Sequence, residues 1–410
     1  MSIAPGQPKE LAIRTVPVDD PDDLIARLPD PSSLAWVRRG EGLIGWGEVA
    51  RVRVGPGSDR FDRAQRRLHE LLAGAKVDDG VDVPGSGPVA FGSFTFDPRA
   101  GGSVLVVPRV VLGRRHGRAW LTTIGEGDGL TGIQPVSAPA DIQWSDGALP
   151  PPAWMRTVDQ AVSAIRAGGL HKVVLSRDVH AQAAEPLDPR ALLQRLARRF
   201  PDCYAFSCAG MVGATPELLV RREGDRLDSL VLAGSARRGL DEAEDTALGE
   251  ALLASAKDVE EHEFAVASVR SALAPRCAEL SVDEAPSLLV LANVQHLATS
   301  VSGRLAGDAS SLEVASALHP TAAVCGTPAD EALRLIRDLE SMDRGRYAGP
   351  VGWLDSDGNG EWGIALRCAE VDGARARLFA GNGIVAGSEP ETELAETQAK
   401  LRAMQEALET

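Results

Sequence analysis

The sequence predicts an α+β fold, and three observations carry that prediction. Strand-like and helix-like stretches mix without the regular strand–helix–strand beat that builds a parallel sheet. The strand-like segments 89–97, 103–114 and 118–124 follow one another through Gly/Pro turns, the pattern of antiparallel meanders. The 410 residues are 44% hydrophobic and 25% charged, ordinary proportions for a chain able to bury a large core.

Taken in order, residues 1–10 are polar and Pro-bearing and read as a loose tail. Residues 11–16 alternate like a strand up to Pro17, and 20–28 read as a short helix opened by acidic residues. Residues 33–54 read as strands around Arg38-Arg39-Gly40-Glu41-Gly42, and 58–75 have helical apolar spacing with Ser58 as the expected N-cap. The Gly-, Asp-, Pro- and Ser-rich stretch 125–150 reads as a linker between an N-terminal part, 1–145, and a second part, 150–407. Beyond it, 154–167 is an amphipathic helix stopped by Gly168-Gly169, and 172–177 is an apolar strand. Residues 189–200 form a helix, 245–273 one long helix with an acidic middle, and 287–301 a strand. Helices at 311–318 and 328–341 flank His319-Pro-Thr-Ala-Ala-Val-Cys-Gly326, and 347–355 and 362–371 read as paired strands.

Composition excludes several functions. A net charge of -15 argues against nucleic-acid and membrane-surface roles, which need basic patches. No apolar run approaches the length of a membrane span, and no secretory pattern opens the chain. Cys203, Cys208, Cys277, Cys325 and Cys368 are odd in number and scattered, as expected of reduced cytosolic thiols, and zinc spacing is absent. A cytoplasmic location is expected.

The residues able to carry chemistry lie beyond 170. In Phe379-Ala-Gly-Asn-Gly-Ile-Val-Ala-Gly387, Gly381, Gly383 and Gly387 allow backbone to approach a ligand closely. On the helix that follows, Glu393, Glu396 and Lys400 share one face, which suits a hydrated Mg²⁺ with an anionic ligand. The alternative is a solvated face with a Glu→Lys i,i+4 pair. Lys172 heads an apolar strand, so desolvation could fit it to act as a base; the alternative is a lysine snorkelling to water. Glu217, between Pro216 and Leu218-Leu-Val220, could stay protonated and act as an acid, or be an exposed turn residue. Glu261 lies in a run of acids that a divalent ion shared with Glu396 would relieve, whereas His262 reads as structural because Mg²⁺ prefers oxygen. Gly234 and Ser235 form a small-residue turn able to present N–H groups to a carboxylate, and Arg367 in an apolar strand needs an anionic partner.

Together these stretches are similar to the chorismate-utilising enzymes: Lys172-Val-Val-Leu-Ser-Arg177, Thr215-Pro-Glu-Leu-Leu219, Leu232-Ala-Gly-Ser-Ala-Arg-Arg238, Lys257-Asp258 to Glu261-His262, Asn293-Val-Gln-His-Leu297, Tyr347-Ala-Gly-Pro-Val-Gly-Trp353 and 381–400. The match covers about 150–407, with a weak echo at Phe91-Gly-Ser-Phe-Thr-Phe-Asp97. The resemblance implies a single large α+β unit of stacked antiparallel sheets with peripheral helices, and an isochorismate synthase feeding menaquinone or catechol-siderophore biosynthesis. It implies Mg²⁺ held by Glu261 and Glu396, with Glu393 through water. It makes Lys172 the base, Glu217 the acid and His296 a further catalytic residue. Gly234, Ser235, Ala323, Tyr347, Arg367, Gly381, Gly383 and Lys400 become substrate ligands. Lys172 favours water over ammonia as nucleophile, so no glutaminase subunit is expected, and the relatives imply a monomer or weak dimer. Ala323, where salicylate and anthranilate formers carry threonine, favours isochorismate as product. A salicylate synthase and a non-catalytic chorismate-binding subunit are the alternatives. Asn382 departs from the alanine usual at its place.

Overall fold

The computed structural model describes residues 11–126 and 132–409; the tail expected over 1–10 and part of the linker fall outside these. Among the described residues, twenty-one strands join into one hydrogen-bonded network, with eight α-helices around it. Every strand pairing given among the described residues is antiparallel except that of Ala12–Pro17 with Lys76–Asp79. The α+β expectation therefore holds.

The network forks at the long strand Ser103–Arg115, which pairs on one edge with Glu41–Val54 and on the other with Val89–Ser93. One arm runs from Glu41–Val54 through Leu34–Arg38, Tyr204–Cys208, Met211–Thr215, Cys368–Asp372 and Arg375–Ile384 to Lys172–Gln182. The other runs from Val89–Ser93 through Pro350–Asp355, Gly360–Ile364, Leu218–Glu223 and Arg226–Arg237 to Val294–Leu305. N-terminal strands thus hydrogen-bond directly to C-terminal ones, and the core that includes Trp36, Phe91, Phe94 and Trp362 draws on both. Burying aromatics of this size is the dominant favourable term in holding the arms together.

Local chemistry explains most elements and corrects a few expectations. Arg39 and Gly40 both take positive φ, the turn that joins Leu34–Arg38 to Glu41–Val54 as a hairpin. The first long helix spans Arg60–Leu72 with Asp59, not Ser58, at its N-cap. The acidic stretch 20–28 yields only the 3₁₀ turn Ile25–Arg27. Within the linker, Gln143–Asp146 is a strand that pairs with Lys172–Gln182. The helix expected over 245–273 is two, Glu242–Ala254 and Ala256–Leu273, because Ser255 takes extended backbone and its side chain caps the second. From the second helix Glu261 meets Lys172 of the sheet, and Lys257 meets Glu393 of the C-terminal helix.

Candidate active site

The two arms end facing one another, and a cavity lies between their ends. The first arm contributes Val174, Ser176, Gly381 and Gly383; the second contributes Leu232 to Ser235 and His296, with Glu217 just ahead of its strand. Ala323, Tyr347 and Arg367 come from the connecting loops, Glu261 from Ala256–Leu273, and Glu396 and Lys400 from the C-terminal helix Pro390–Glu409. All eight expected substrate ligands line this one cavity. Its volume is about 80 Å³, below the ~300 Å³ or more usual for ligand pockets.

Glycine makes the cavity possible at two walls. A Cβ on Gly383 would lie 2.1 Å from Glu261 Oε1 and 2.8 Å from Lys172 Cε. Gly383→Ala should therefore leave the strand intact yet lower turnover by ~100-fold or more, as misplacement by an ångström does; steady-state rates beside a melting curve check this. Gly234 sits at φ 75° in a bulge that shifts register between Ala233 and Ser235, the kind of irregularity that re-aims a strand at a site.

Glu217 is 4% exposed. Burial pushes its carboxyl up to about 8, against the opposing pull of the Leu232 backbone N–H and the ammonium groups of Lys172 and Lys400. A carboxyl so placed keeps its proton at neutral pH. Lys172 is fully buried behind the cavity wall, 3.1 Å from Glu261 Oε1, and does not snorkel to water. Arg367 is buried in left-handed backbone at φ 47°, and no carboxylate pairs with it among the described residues. Its Nη2 donates to His296 Nε2 at 3.1 Å. A guanidinium only donates, so Nε2 is the accepting nitrogen and the ring proton sits on Nδ1, facing Ser235 Oγ at 2.9 Å and Gly234 O at 3.2 Å. Burial, then the charges of Arg367 and Lys400, hold His296 well below the usual histidine range, so the ring is neutral.

The three acids expected at a metal each meet a lysine: Glu261 with Lys172 at 3.1 Å, Glu396 with Lys400 at 2.6 Å, and Glu393 with Lys257 at 2.9 Å. Glu261 and Glu396 open on the cavity. Two hard oxygen donors on the wall of one cavity fit a Mg²⁺ that would keep waters and take the rest of its shell from a ligand. Glu393 does not line the cavity: Lys257 and Asn382 hold its two oxygens. No cluster of three metal-ligating side chains occurs among the described residues. The solvated-face alternative is half right, since the Glu396–Lys400 i,i+4 pair exists, but at the cavity wall.

Sequence reasoning missed Ser176 and Arg344 in the lining. Arg344 is a buried strut, bonded to Glu340 and to the carbonyls of Val174 and Val324. Its i,i+4 spacing from Glu340 was the available signal. Ser176 gave none beyond its place in the strand.

A neutral imidazole, a carboxyl that burial keeps protonated, a guanidinium with no carboxylate partner among the described residues and two carboxylates around one cavity suit acid–base chemistry on a small anionic molecule. Residues 133–409 match the family model described as chorismate binding enzyme, and the chain belongs to that family. It is 41% identical over 288 residues to "Isochorismate synthase DhbC" of Bacillus subtilis, covering 67% of this chain and 69% of that protein. It is 37% identical over 409 residues to "Salicylate biosynthesis isochorismate synthase" of Pseudomonas aeruginosa, covering 92% and 84%. The solved structure of MenF, the menaquinone-specific isochorismate synthase of Escherichia coli, superposes with a TM-score of 0.80 at 27% identity, covering 97% of this chain and 95% of that one. No helix among the described residues is long and apolar enough to cross a membrane.

Proposed function

We propose that this chain isomerises chorismate to isochorismate. The observation that carries the reading is Glu217: a carboxyl raised to about 8 in the same cavity as the unpaired Arg367 guanidinium. Arg367, with Tyr347 beside it and backbone at Gly381, takes the enolpyruvyl carboxylate, satisfying a buried charge that otherwise has no anion. His296, the further catalytic candidate, accepts a hydrogen bond from Arg367 Nη2 and steadies that guanidinium. Gly234, Ser235 and Lys400 face the ring carboxylate. Glu261 and Glu396 would hold Mg²⁺, which supplies positive charge that orients that carboxylate. Glu393, tied to Lys257, orients the C-terminal helix and would contribute to holding such a metal through water.

Lys172, in its neutral amine form, takes a proton from a water whose oxygen bonds to ring carbon 2. The ring double bonds shift, the bond from carbon 4 to its hydroxyl breaks, and Glu217 protonates the departing oxygen, which leaves as water. Solvent exchange then returns a proton to Glu217 and removes one from Lys172, so the net change is a hydroxyl moved from carbon 4 to carbon 2. Ala323 lines the cavity as a small apolar surface with no hydroxyl to assist pyruvate loss. The protein works in the cytoplasm without a glutaminase partner, on a product consumed in menaquinone or siderophore synthesis.

Purified protein with chorismate and Mg²⁺, followed by proton NMR, should show isochorismate approaching a fixed ratio with chorismate and no pyruvate. Stoichiometric pyruvate would make the chain a salicylate former, an ammonia requirement would make it an aminating synthase, and unchanged chorismate would reject the reading.

A further inference from the structure

The two glycines that floor the cavity flank a side chain pointing the other way. In Arg375–Ile384, Gly381 and Gly383 face the cavity, so strand alternation sends Asn382 to the opposite face, against the C-terminal helix. There it is 2% exposed and bonded on both sides. Its Nδ2 donates to Glu393 O at 2.7 Å and to Glu393 Oε2 at 3.1 Å, and its Oδ1 accepts from Lys400 Nζ at 3.0 Å. Two acceptors on one side and an ammonium on the other fix which way the amide faces. Lys400 has three N–H donors and meets three acceptors: Asn382 Oδ1, Gly381 O at 3.0 Å and Glu396 Oε1 at 2.6 Å.

We infer that Asn382 is a positioning residue: it locks the C-terminal helix to the glycine floor and keeps the Lys400 ammonium and the Glu393 carboxylate in place when Glu396 turns away from Lys400. Glu396 Oε1 is paired with Lys400 Nζ at 2.6 Å, so giving that oxygen to a cation calls for such a parting. At that moment Lys400 keeps only Gly381 O and Asn382 Oδ1, and an alanine at 382 would leave it one acceptor. Glu393 would likewise keep Lys257 on one oxygen and lose the donor on the other. The inference deepens the isomerase reading and rests on it for the kinetic arm of its test, while the metal-binding arm is independent of turnover.

The experiment compares Asn382→Ala and Asn382→Leu with the unaltered protein. Chorismate KM and kcat are measured by product formation, Mg²⁺ affinity by calorimetry with the metal alone, and folding by thermal melting. Both variants should raise KM and weaken Mg²⁺ about tenfold, the size of one lost charge-assisted hydrogen bond or orienting partner, with kcat changed far less. Leucine should be no better than alanine, because what is lost is polar contact rather than volume. Recovery in Asn382→Leu would reassign the residue to packing, and unchanged KM and Mg²⁺ affinity in Asn382→Ala would overturn the inference. Failure of both variants to fold would also overturn it, giving the amide to stability alone. An unaltered protein that binds Mg²⁺ but leaves chorismate untouched would reject the isomerase reading, and the calorimetry would still judge Asn382.

Discussion

Glu217→Gln is expected to lower kcat by ~10²–10⁴-fold, the usual contribution of a general acid, with little change in melting temperature. The substitution keeps the volume and a polar head in a pocket that already holds a neutral group, so the fold loses little. What it loses is the proton that the departing hydroxyl needs. The pH dependence follows from the same burial. Because the carboxyl sits at about 8 in the free protein, the protonated, active form dominates at neutral pH, and kcat/KM should fall with a single-proton limb as pH rises through about 8. Stability runs in the same direction. The group binds its proton more tightly folded than unfolded, where it titrates near the ordinary ~4.3. Its contribution is therefore complete below that value and is lost as pH rises to about 8. Melting temperatures across that window, compared between the protein and Glu217→Gln, read the contribution directly; the variant should be flatter.

Lys172→Ala is expected to produce a comparable kinetic loss, ~10²–10⁴-fold, but with a cost in stability that Glu217→Gln does not share. Lys172 is wholly buried and paired with Glu261 at 3.1 Å. Removing one partner of a buried pair leaves the other charge uncompensated, which costs roughly 3–5 kcal/mol. Glu261 opens on the cavity and can gain water there, which places the loss at the lower end. The double variant Lys172→Met/Glu261→Gln should regain most of that stability while remaining inactive. Denaturant unfolding beside turnover separates the two effects. A Lys172→Ala protein that is destabilised yet turns over near the normal rate would confine Lys172 to the fold.

The contrast between these residues shows what the sequence made legible. The glycine floor, the acid after Pro216 and the lysine heading the apolar strand were readable because each depends on its immediate neighbours: a residue type, a period, an adjoining apolar run. The α+β class was readable for the same reason. What could not be read is what depends on contacts distant in the chain. The Lys172–Glu261 pair joins residues 89 apart, and nothing local distinguishes a lysine that snorkels from one that pairs. The shared face of Glu393, Glu396 and Lys400 follows from helical period, but period does not say which part of the face meets the cavity. Glu396 and Lys400 do so, and Glu393 is drawn aside by Lys257 from another helix. The helix break at Ser255 was within reach, since a serine three residues before an aspartate is an N-cap signal, and the long acidic run masked it. Asn382 stood out only as a departure; its partners lie 11 and 18 residues ahead, across a turn.

The central claim is that burial keeps Glu217 protonated at neutral pH where the reaction needs a donor. Infrared difference spectra of the carboxyl band, the protein minus Glu217→Gln, recorded across a pH series, test it without reference to turnover. The account predicts one buried carboxyl with a midpoint near 8; a midpoint in the ordinary carboxylate range near ~4.3 would contradict it.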